Sequence, residues 1–281
     1  MATVEVNGAR IFYQVSGDGP PLMQVPGAVT GHAGYALVTP AMVDDFSVLD
    51  YDPRGYGASD RPDQEYSFDV WCDDMIGLLD GLGIEKTHVH GGSMGSMIAL
   101  RFASRHPDRV NGLVISGCAV KSDYMAVCHY EVWKALALAY GTGSRELAWE
   151  LVNKSVSRDY LDSEKGGEPL IEMIMDVAGR MVDVDVFCAA CDVMRDTDLR
   201  ADVGRVTAPT LVMVGDEDVL TPAEQGPAGG GGRWIYDNLT AAASREYLLL
   251  ENSGHANLLD AADVCNPKVI SFLGEIDGRG P

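Results

Sequence analysis

The chain has 281 residues, 46% of them apolar and 22% charged, a globular composition with room for one large domain or a core domain with an insert. Its net charge of -21 argues against nucleic acid and anionic membrane surfaces as partners, because binding them requires a patch of Lys and Arg. The chain has no run of ~18 apolar residues and no basic N-terminal region followed by an apolar one, so we expect a cytoplasmic protein. Its expected partner is a small-molecule substrate, and a homodimer is possible.

The first half of the chain predicts a hairpin followed by alternating strands and helices. Asn7-Gly8 separates two alternating apolar runs, and this dipeptide favours a two-residue β-turn. In chain order, the predicted elements are strands over 4–6, 11–15, 22–25 and 47–50, a helix over 67–82, a strand over 87–90, a helix from about 97 to 106, and a strand over 113–116. Strands that alternate with helices indicate βαβ crossovers and a parallel sheet covered on both faces.

The pattern changes between residues 121 and 206, where strand-like runs disappear and apolar residues recur at helical spacing. Strand character returns over 210–215 and 247–250, and a helix follows near the C-terminus. We therefore predict an α/β fold whose mostly parallel, doubly wound sheet is formed by residues 1–120 and 207–281. Residues 121–206 are predicted to form an inserted helical cap. The glycine-rich stretch 226–232 predicts a flexible loop, since its position does not suit a phosphate-binding motif.

The pentad Gly91-Gly92-Ser93-Met94-Gly95 joins the strand over 87–90 to the helix that follows. In a G-x-S-x-G pentad a strand turns sharply into a helix, and the flanking glycines let neighbouring backbone approach closely. The serine hydroxyl is then presented at the carboxyl edge of the sheet. We predict that Ser93 is a nucleophile, with an ordinary glycine turn and a surface serine as the alternative.

A serine nucleophile needs a base that accepts its proton, and six histidines compete for that role. Two of them lie in a predicted strand, one ends a helix and one lies in the predicted cap. His32 lies in the loop after the third strand, where it could contact a substrate. His255 follows the last strand through Asn252-Ser253-Gly254, at the same sheet edge as Ser93. We therefore predict His255 as the base.

The base in turn needs a carboxylate that fixes its tautomer, and three acidic residues follow the strand over 210–215. Asp218 lies past the turn, four residues before Pro222, where it can point toward the histidine loop. Asp216 and Glu217 are more typical of turn or rim positions, and Asp216 is the alternative acid. A tetrahedral oxyanion also needs two backbone donors, which we assign to the N–H groups of Met94 and Ala28.

These motifs together resemble the α/β-hydrolase superfamily over nearly the whole chain. The resemblance lies in Pro26-Gly27, the Asp52 to Ser59 turn, the Ser93 pentad, and Asp218 with Ser253-Gly254-His255. The chain looks most like small bacterial esterases, enol-lactonases and cofactor-free haloperoxidases. It departs from many members, which have His-Gly in place of Pro26-Gly27. Some relatives place the acid after the sixth strand, and the absence of a carboxylate there strengthens Asp218.

The resemblance implies hydrolysis of a carboxylic ester or lactone of a small, largely apolar metabolite through an acyl-enzyme. The alternatives that use the same residues are carbon–carbon bond hydrolysis, acyl transfer and cofactor-free oxygenation, and a catalytically inactive ligand receptor is an alternative of another class. The pocket is expected to include His32, Trp133 and Tyr140, with core packing as the alternative for the two aromatic residues at helical spacing.

Neither a metal nor an organic cofactor is expected. The single C-x-x-C motif, Cys188 to Cys191, lacks a second pair and a nearby histidine, so it predicts buried, reduced cysteines.

Overall fold

The computed structural model describes residues 2–225 and 230–279 of the chain. Eight strands within these residues form one sheet in the order β1-β2-β4-β3-β5-β6-β7-β8. The strands are β1 (Ala2–Val6), β2 (Ala9–Ser16), β3 (Pro21–Val25), β4 (Ser47–Tyr51), β5 (Thr87–Gly92), β6 (Val110–Ser116), β7 (Thr210–Gly215) and β8 (Arg245–Leu250). Strand β2 pairs antiparallel with β1 and β4, and the other pairings are parallel. The predicted mostly parallel α/β sheet is confirmed.

The hairpin between β1 and β2 turns at the predicted dipeptide. Asn7 and Gly8 both have positive φ, 49° and 74°, as a two-residue type I′ turn requires. Their position pairs Val6 with Ala9 directly across the turn. The hairpin therefore adds an antiparallel edge to the sheet, as the sequence predicts.

Twelve α-helices lie in the described residues. They are α1 (Thr39–Met42), α2 (Phe68–Gly81), α3 (Met94–Arg105), α4 (Tyr124–Tyr140), α5 (Arg145–Ser155), α6 (Arg158–Leu161), α7 (Gly167–Met181), α8 (Val184–Asp196), α9 (Arg200–Val203), α10 (Gly232–Asn238), α11 (Asn257–Asp260) and α12 (Ala262–Ile276). The predicted helix over 67–82 corresponds to α2, which begins after Ser67, whose hydroxyl accepts from Val70 N at 3.2 Å.

Both faces of the sheet are covered, because successive residues of its central strands point to opposite sides. Met23 and Ile115 pack in the apolar core formed with α2 and α3. Their chain neighbours Leu22 and Val114 pack in a second core formed with α1 and α12. This double burial explains why the central strands are continuously apolar.

The chain between β6 and β7 is helical, as predicted. Helix α4 packs against α5 and α8, and α5 packs against α7, so these helices form a layer of their own. Helix α9 lies within the predicted cap range but packs against α3 and α10. The cap boundaries at residues 121 and 206 stay a prediction.

The C-x-x-C pair, Cys188 and Cys191, lies on helix α8. Of its two cysteines, Cys191 is buried, as expected, whereas Cys188 is only partly buried. Residues 226–229 of the predicted flexible loop lie outside the described residues.

Across residues 2–225 and 230–279 no helix is long and apolar enough to span a membrane, and no group of His, Cys, Asp and Glu is arranged to hold a metal.

Candidate active site

Ser93 occupies the sharp turn between β5 and α3. Its φ of 56° and ψ of -124° are strained for a residue with a side chain, a cost of roughly 1–3 kcal/mol that the surrounding structure must hold in place. Ser93 N donates to Ser116 O at 2.9 Å, which fixes the turn to β6. A Cβ on Gly95 would overlap the Val25 carbonyl, and one on Gly91 would overlap the Gly95 carbonyl. Glycine at these two positions therefore lets α3 start close enough to β3 to present the hydroxyl.

The structure brings the three predicted catalytic side chains together from three separate loops. His255 Nε2 lies 2.8 Å from Ser93 Oγ, and His255 Nδ1 lies 3.1 Å from Asp218 Oδ2. The Asp218 side chain is fully buried and that of His255 is 9% exposed. The serine is thus within hydrogen-bond reach of a base that is itself oriented by a carboxylate, the arrangement that activates a serine nucleophile.

The Asp218 carboxylate receives four hydrogen-bond contacts. Its Oδ1 accepts from Leu220 N at 2.9 Å and from Thr221 N at 2.8 Å, and its Oδ2 accepts from Thr221 Oγ1 at 2.7 Å in addition to facing His255. Burial raises the pKa of Asp218, but the charge and hydrogen bond of His255 and the donors of Thr221 outweigh burial, so the net pKa lies below its ordinary value. The carboxylate is therefore ionised at neutral pH despite its burial.

Thr221 is a member of the site that the sequence reasoning missed. Its Oγ1 lies 3.0 Å from His255 Nδ1 as well as 2.7 Å from Asp218 Oδ2. The sequence signal was its position three residues after Asp218, inside the same turn. The hydroxyl is therefore a second oxygen beside the Nδ1 atom of the base.

The two predicted oxyanion donors both lie near Ser93. Met94 begins α3, and the backbone at Gly27 approaches Ser93 so closely that a Cβ there would lie 3.4 Å from the Ser93 Cβ. Within the part of the chain that the structure describes, neither Ala28 N nor Met94 N has a protein acceptor. Ala28 and Met94 both line the cavity beside Ser93, and their role as oxyanion donors stays a prediction.

A narrow, mostly apolar cavity lies between Ser93 and the α4 helix. Its volume is about 30 Å³. Its apolar lining consists of Ala28, Met94, Met97, Gly117, Ala119, Ala126, Met194 and Leu220. Its polar or aromatic lining consists of Ser93, His129, Tyr130, Trp133, Thr221 and His255. The described lining contains no Lys, Arg, Asp or Glu.

Of the three predicted pocket residues, only Trp133 lines this cavity. Its ring stacks on His129, with centroids 6.4 Å apart, and its buried Nε1 has no acceptor within the described residues. Tyr140 is 61% exposed at the far end of α4 and borders a separate surface groove. Trp133 is two helical turns before Tyr140, so the helix carries Tyr140 beyond the reach of Ser93.

His32, the third predicted pocket residue, does not line this cavity either. His32 is turned toward the buried Asp52, whose Oδ1 accepts from His32 N at 2.9 Å and faces His32 Nδ1 at 2.7 Å. The other oxygen of Asp52 accepts from Ala58 N. The hydrogen bond to Asp52 raises the pKa of His32 although partial burial opposes it. His32 is therefore an internal partner of the Asp52 to Ser59 turn.

The chain is similar in sequence to proteins with several activities. A family model described as "Serine aminopeptidase, S33" matches residues 23–262. The chain is 43% identical over 116 residues to the 2-hydroxymuconate semialdehyde hydrolase of Pseudomonas sp. strain CF600, a match that spans 40% of this chain and only 41% of that protein. It is 25% identical over 288 residues to a proline iminopeptidase of Pestalotiopsis fici, which covers 96% of this chain and 98% of that protein.

The fold is similar to solved structures of the same kind. The crystal structure of the enol-lactonase from Burkholderia xenovorans LB400 matches with a TM-score of 0.84 and 26% identity, over 97% of this chain and 99% of that one. The family model covers most of the chain, and the mostly parallel sheet agrees with this structural likeness. The chain therefore belongs to the serine aminopeptidase S33 family of the α/β-hydrolase superfamily.

Proposed function

We propose that this protein is a serine hydrolase that cleaves a carboxylic ester or lactone of a small, uncharged molecule through an acyl-enzyme. The observation that carries the proposal is the pair of contacts from His255, 2.8 Å to Ser93 Oγ and 3.1 Å to Asp218 Oδ2. The likeness to an enol-lactonase of known structure supports the lactone arm of the proposal.

In the first half of the reaction, Ser93 Oγ attacks the ester carbonyl while its proton moves to His255 Nε2. The Nδ1 proton stays directed at the ionised Asp218, which stabilises the imidazolium. The carbonyl oxygen becomes an oxyanion and accepts hydrogen bonds from Ala28 N and Met94 N, the two free donors beside the serine. When the intermediate collapses, His255 Nε2 returns the proton to the leaving alkoxide.

In the second half, water enters the space left by the alcohol and His255 Nε2 takes one of its protons. The resulting hydroxide attacks the acyl carbonyl, and the same two N–H groups bind the second oxyanion. Collapse releases the carboxylic acid and returns the proton to Ser93 Oγ. In a lactone the alcohol and the acid remain parts of one product, so both halves must proceed within the same cavity.

The lining of the cavity favours a neutral substrate. An anionic substrate would find no Lys or Arg among the described lining residues, and a cationic substrate would find no Asp or Glu. Burial of an unpaired charge costs several kcal/mol. This argument disfavours an aminopeptidase reaction, because the free ammonium group of a peptide substrate would lie in the cavity without a carboxylate partner.

The experiment compares wild type with Ser93→Ala on matched p-nitrophenyl esters. The series contains neutral acetate and butyrate esters, an anionic hemisuccinate ester and a cationic alanyl ester, and alanine p-nitroanilide serves as the aminopeptidase substrate. We expect wild type to hydrolyse the neutral esters at least tenfold more efficiently than either charged ester, and Ser93→Ala to be inactive on all of them. A lactone panel and a diketone follow as tests of the natural bond type.

Reaction with a fluorophosphonate probe, mapped by peptide mass spectrometry, identifies the nucleophile independently of the substrate. Labelling at Ser93 with ester turnover supports the proposal. A folded wild type that neither labels nor turns over contradicts it and favours a ligand receptor. Labelling at Ser93 with cleavage of the diketone alone would favour the carbon–carbon hydrolase instead.

A further inference from the structure

The loop that carries His255 is held by a carboxylate that the proposed reaction does not use. Asp260, at the end of α11, accepts from Gly254 N through Oδ2 at 2.8 Å and from Ser253 Oγ through Oδ1 at 2.7 Å. These are the two residues that directly precede the base. Asp260 also accepts a third hydrogen bond, from Ser157 N to Oδ2 at 2.8 Å. That donor belongs to the inserted helical layer, not to the sheet.

The neighbouring contacts reach across the same boundary. Ala256 N, on the other side of His255, donates to Ser155 O at 2.5 Å. Gly254 packs so tightly against the insert that a Cβ there would lie 2.7 Å from the Val156 carbonyl carbon. Arg158 N donates to Glu217 Oε2 at 3.0 Å, next to the acid Asp218. The segment 155–158 therefore contacts the backbone on both sides of the base.

We propose that Asp260 is a positioning residue that ties the catalytic histidine loop to the inserted helical layer through Ser157 N. This inference rests on the proposed function, since it assigns a role in the reaction of Ser93 and His255. Asp260 touches neither of these two side chains in the structure. It acts by holding the backbone of residues 253 and 254, from which the imidazole projects toward Ser93.

The link connects the wall of the cavity with the loop that carries His255. Helix α4 supplies part of the cavity wall and packs against α5, and α5 ends at Ser155, where the contacts with the histidine loop begin. A substrate that shifts α4 therefore shifts the segment 155–158, and Asp260 carries that shift to His255. Because a misplacement of about 1 Å can lower a catalysed rate by about 10²-fold, a small displacement is sufficient.

Ser157 offers a pair of substitutions whose difference isolates the link. Its φ of -62° suits proline, and the preceding Val156 has φ -120° and ψ 160°, the extended conformation that a residue before proline prefers. Ser157→Pro therefore removes the N–H while keeping the backbone path. The matched control is Ser157→Ala, which removes the hydroxyl that caps Tyr160 N but keeps the N–H.

Asp260 offers a second, chemically different pair of variants. In Asp260→Asn the amide oxygen can accept from Gly254 N and Ser157 N, and the amide nitrogen can donate to Ser253 Oγ, because a hydroxyl both donates and accepts. Asp260→Leu has a similar shape but leaves all three donors without an acceptor. The Asn variant should therefore retain most of the activity that the Leu variant loses.

The test measures kcat and KM for the best neutral ester in all four variants, with folding checked by circular dichroism. We expect kcat of Ser157→Pro to fall at least tenfold below that of Ser157→Ala with KM within threefold, and Asp260→Leu to fall at least tenfold below Asp260→Asn. Proton NMR of the His255 ring, assigned by comparison with His255→Gln, provides a readout that needs no turnover. The downfield Nδ1 proton, held by Asp218 in wild type, should broaden or shift in Ser157→Pro and Asp260→Leu only.

The outcomes separate this inference from the proposed function. If wild type hydrolyses esters but Ser157→Pro and Asp260→Leu match their controls in both kcat and the Nδ1 signal, the link is overturned and the proposed function stands. If wild type hydrolyses nothing, the proposed function fails. In that case the Nδ1 signal alone tests the link. An unchanged signal in all four variants overturns it, whereas a shift only in Ser157→Pro and Asp260→Leu supports the role of Asp260 in holding the histidine loop.

Discussion

The hydrogen bonds of Asp218 predict that an amide at this position is more harmful than the loss of the whole side chain. Oδ1 faces two backbone donors, Leu220 N and Thr221 N, at 2.9 and 2.8 Å. In Asp218→Asn the amide oxygen must therefore occupy the Oδ1 position, because an NH₂ group there would face two N–H groups. The amide nitrogen is left facing His255 Nδ1, to which it can only donate.

That donation selects the wrong tautomer of the base. A neutral imidazole that accepts at Nδ1 carries its proton on Nε2, the atom that lies 2.8 Å from Ser93 Oγ, and it cannot take the serine proton. We expect kcat to fall by about 10⁴-fold, an increase in the activation barrier of about 5.5 kcal/mol. In Asp218→Ala, by contrast, Thr221 is still present. Its Oγ1 lies 3.0 Å from His255 Nδ1 in the wild-type structure and can accept a hydrogen bond from the Nδ1 proton. Asp218→Ala should therefore exceed Asp218→Asn in kcat by at least tenfold.

The assay is steady-state hydrolysis of p-nitrophenyl butyrate by both single variants and by Asp218→Ala combined with Thr221→Val. The double variant should lose the residual activity of Asp218→Ala, while Thr221→Val alone keeps the carboxylate and should lose far less. Circular dichroism at the assay temperature checks that each variant is folded. A higher kcat for Asp218→Asn than for Asp218→Ala would refute the tautomer argument, and equal activity of the double variant and Asp218→Ala would refute the role given to Thr221.

Three further predictions concern the cavity, the pH dependence of stability and the serine turn. Met194→Ala widens a slot with only about 30 Å³ of room for water, so kcat/KM for octanoate relative to butyrate esters should rise about tenfold, and an unchanged ratio would contradict the lining assigned here. Asp52 raises the pKa of His32 in the folded state. The pair therefore stabilises the fold fully at pH values below the pKa that His32 has in the unfolded chain, and this stabilisation is lost as the pH rises through the pKa of His32 in the folded state. His32→Asn should therefore lower the urea midpoint more at pH 5 than at pH 9, and an equal loss would count against the pair. Gly95→Ala should destabilise the fold by about 3 kcal/mol or more in urea unfolding, whereas Gly204→Ala, whose Cβ would meet nothing closer than 3.8 Å, serves as the tolerated control.

The sheet was predictable because its signals are local or strictly periodic. The Asn7-Gly8 turn, the buried apolar strands and the helix predicted over 67–82 each follow from a few neighbouring residues, and all three agree with the structure. Short helices such as α1 and α11 were not predicted. Each has only four residues, which is too short for an apolar period to be visible, and both depend on contacts made after the chain has folded.

The site was predictable only where chemistry restricts the residue type. Ser93, Asp218 and His255 each follow a strand at the same sheet edge, so the topology alone placed them near one another. His32 follows a strand at that edge too, but its direction is decided by Asp52, a partner twenty residues away. Thr221 is marked only by its position three residues after Asp218, and Asp260 is not marked at all, because Thr and Asp in turns usually satisfy local backbone. Their importance comes from which backbone they meet, and the sequence alone does not contain that information.

The catalytic residues and the residues that line the cavity come from different parts of the chain. The residues that hold Ser93 and its base come from loops of the sheet, whereas Trp133, Tyr130 and Met194 come from the inserted helices that close the cavity. Substitutions in those helices would normally be expected to change KM and leave the chemistry intact. Here the insert also donates a hydrogen bond to the carboxylate that holds the histidine loop. A change of the insert in this chain should therefore alter substrate preference and the placement of the base together, which limits how freely its specificity can diverge.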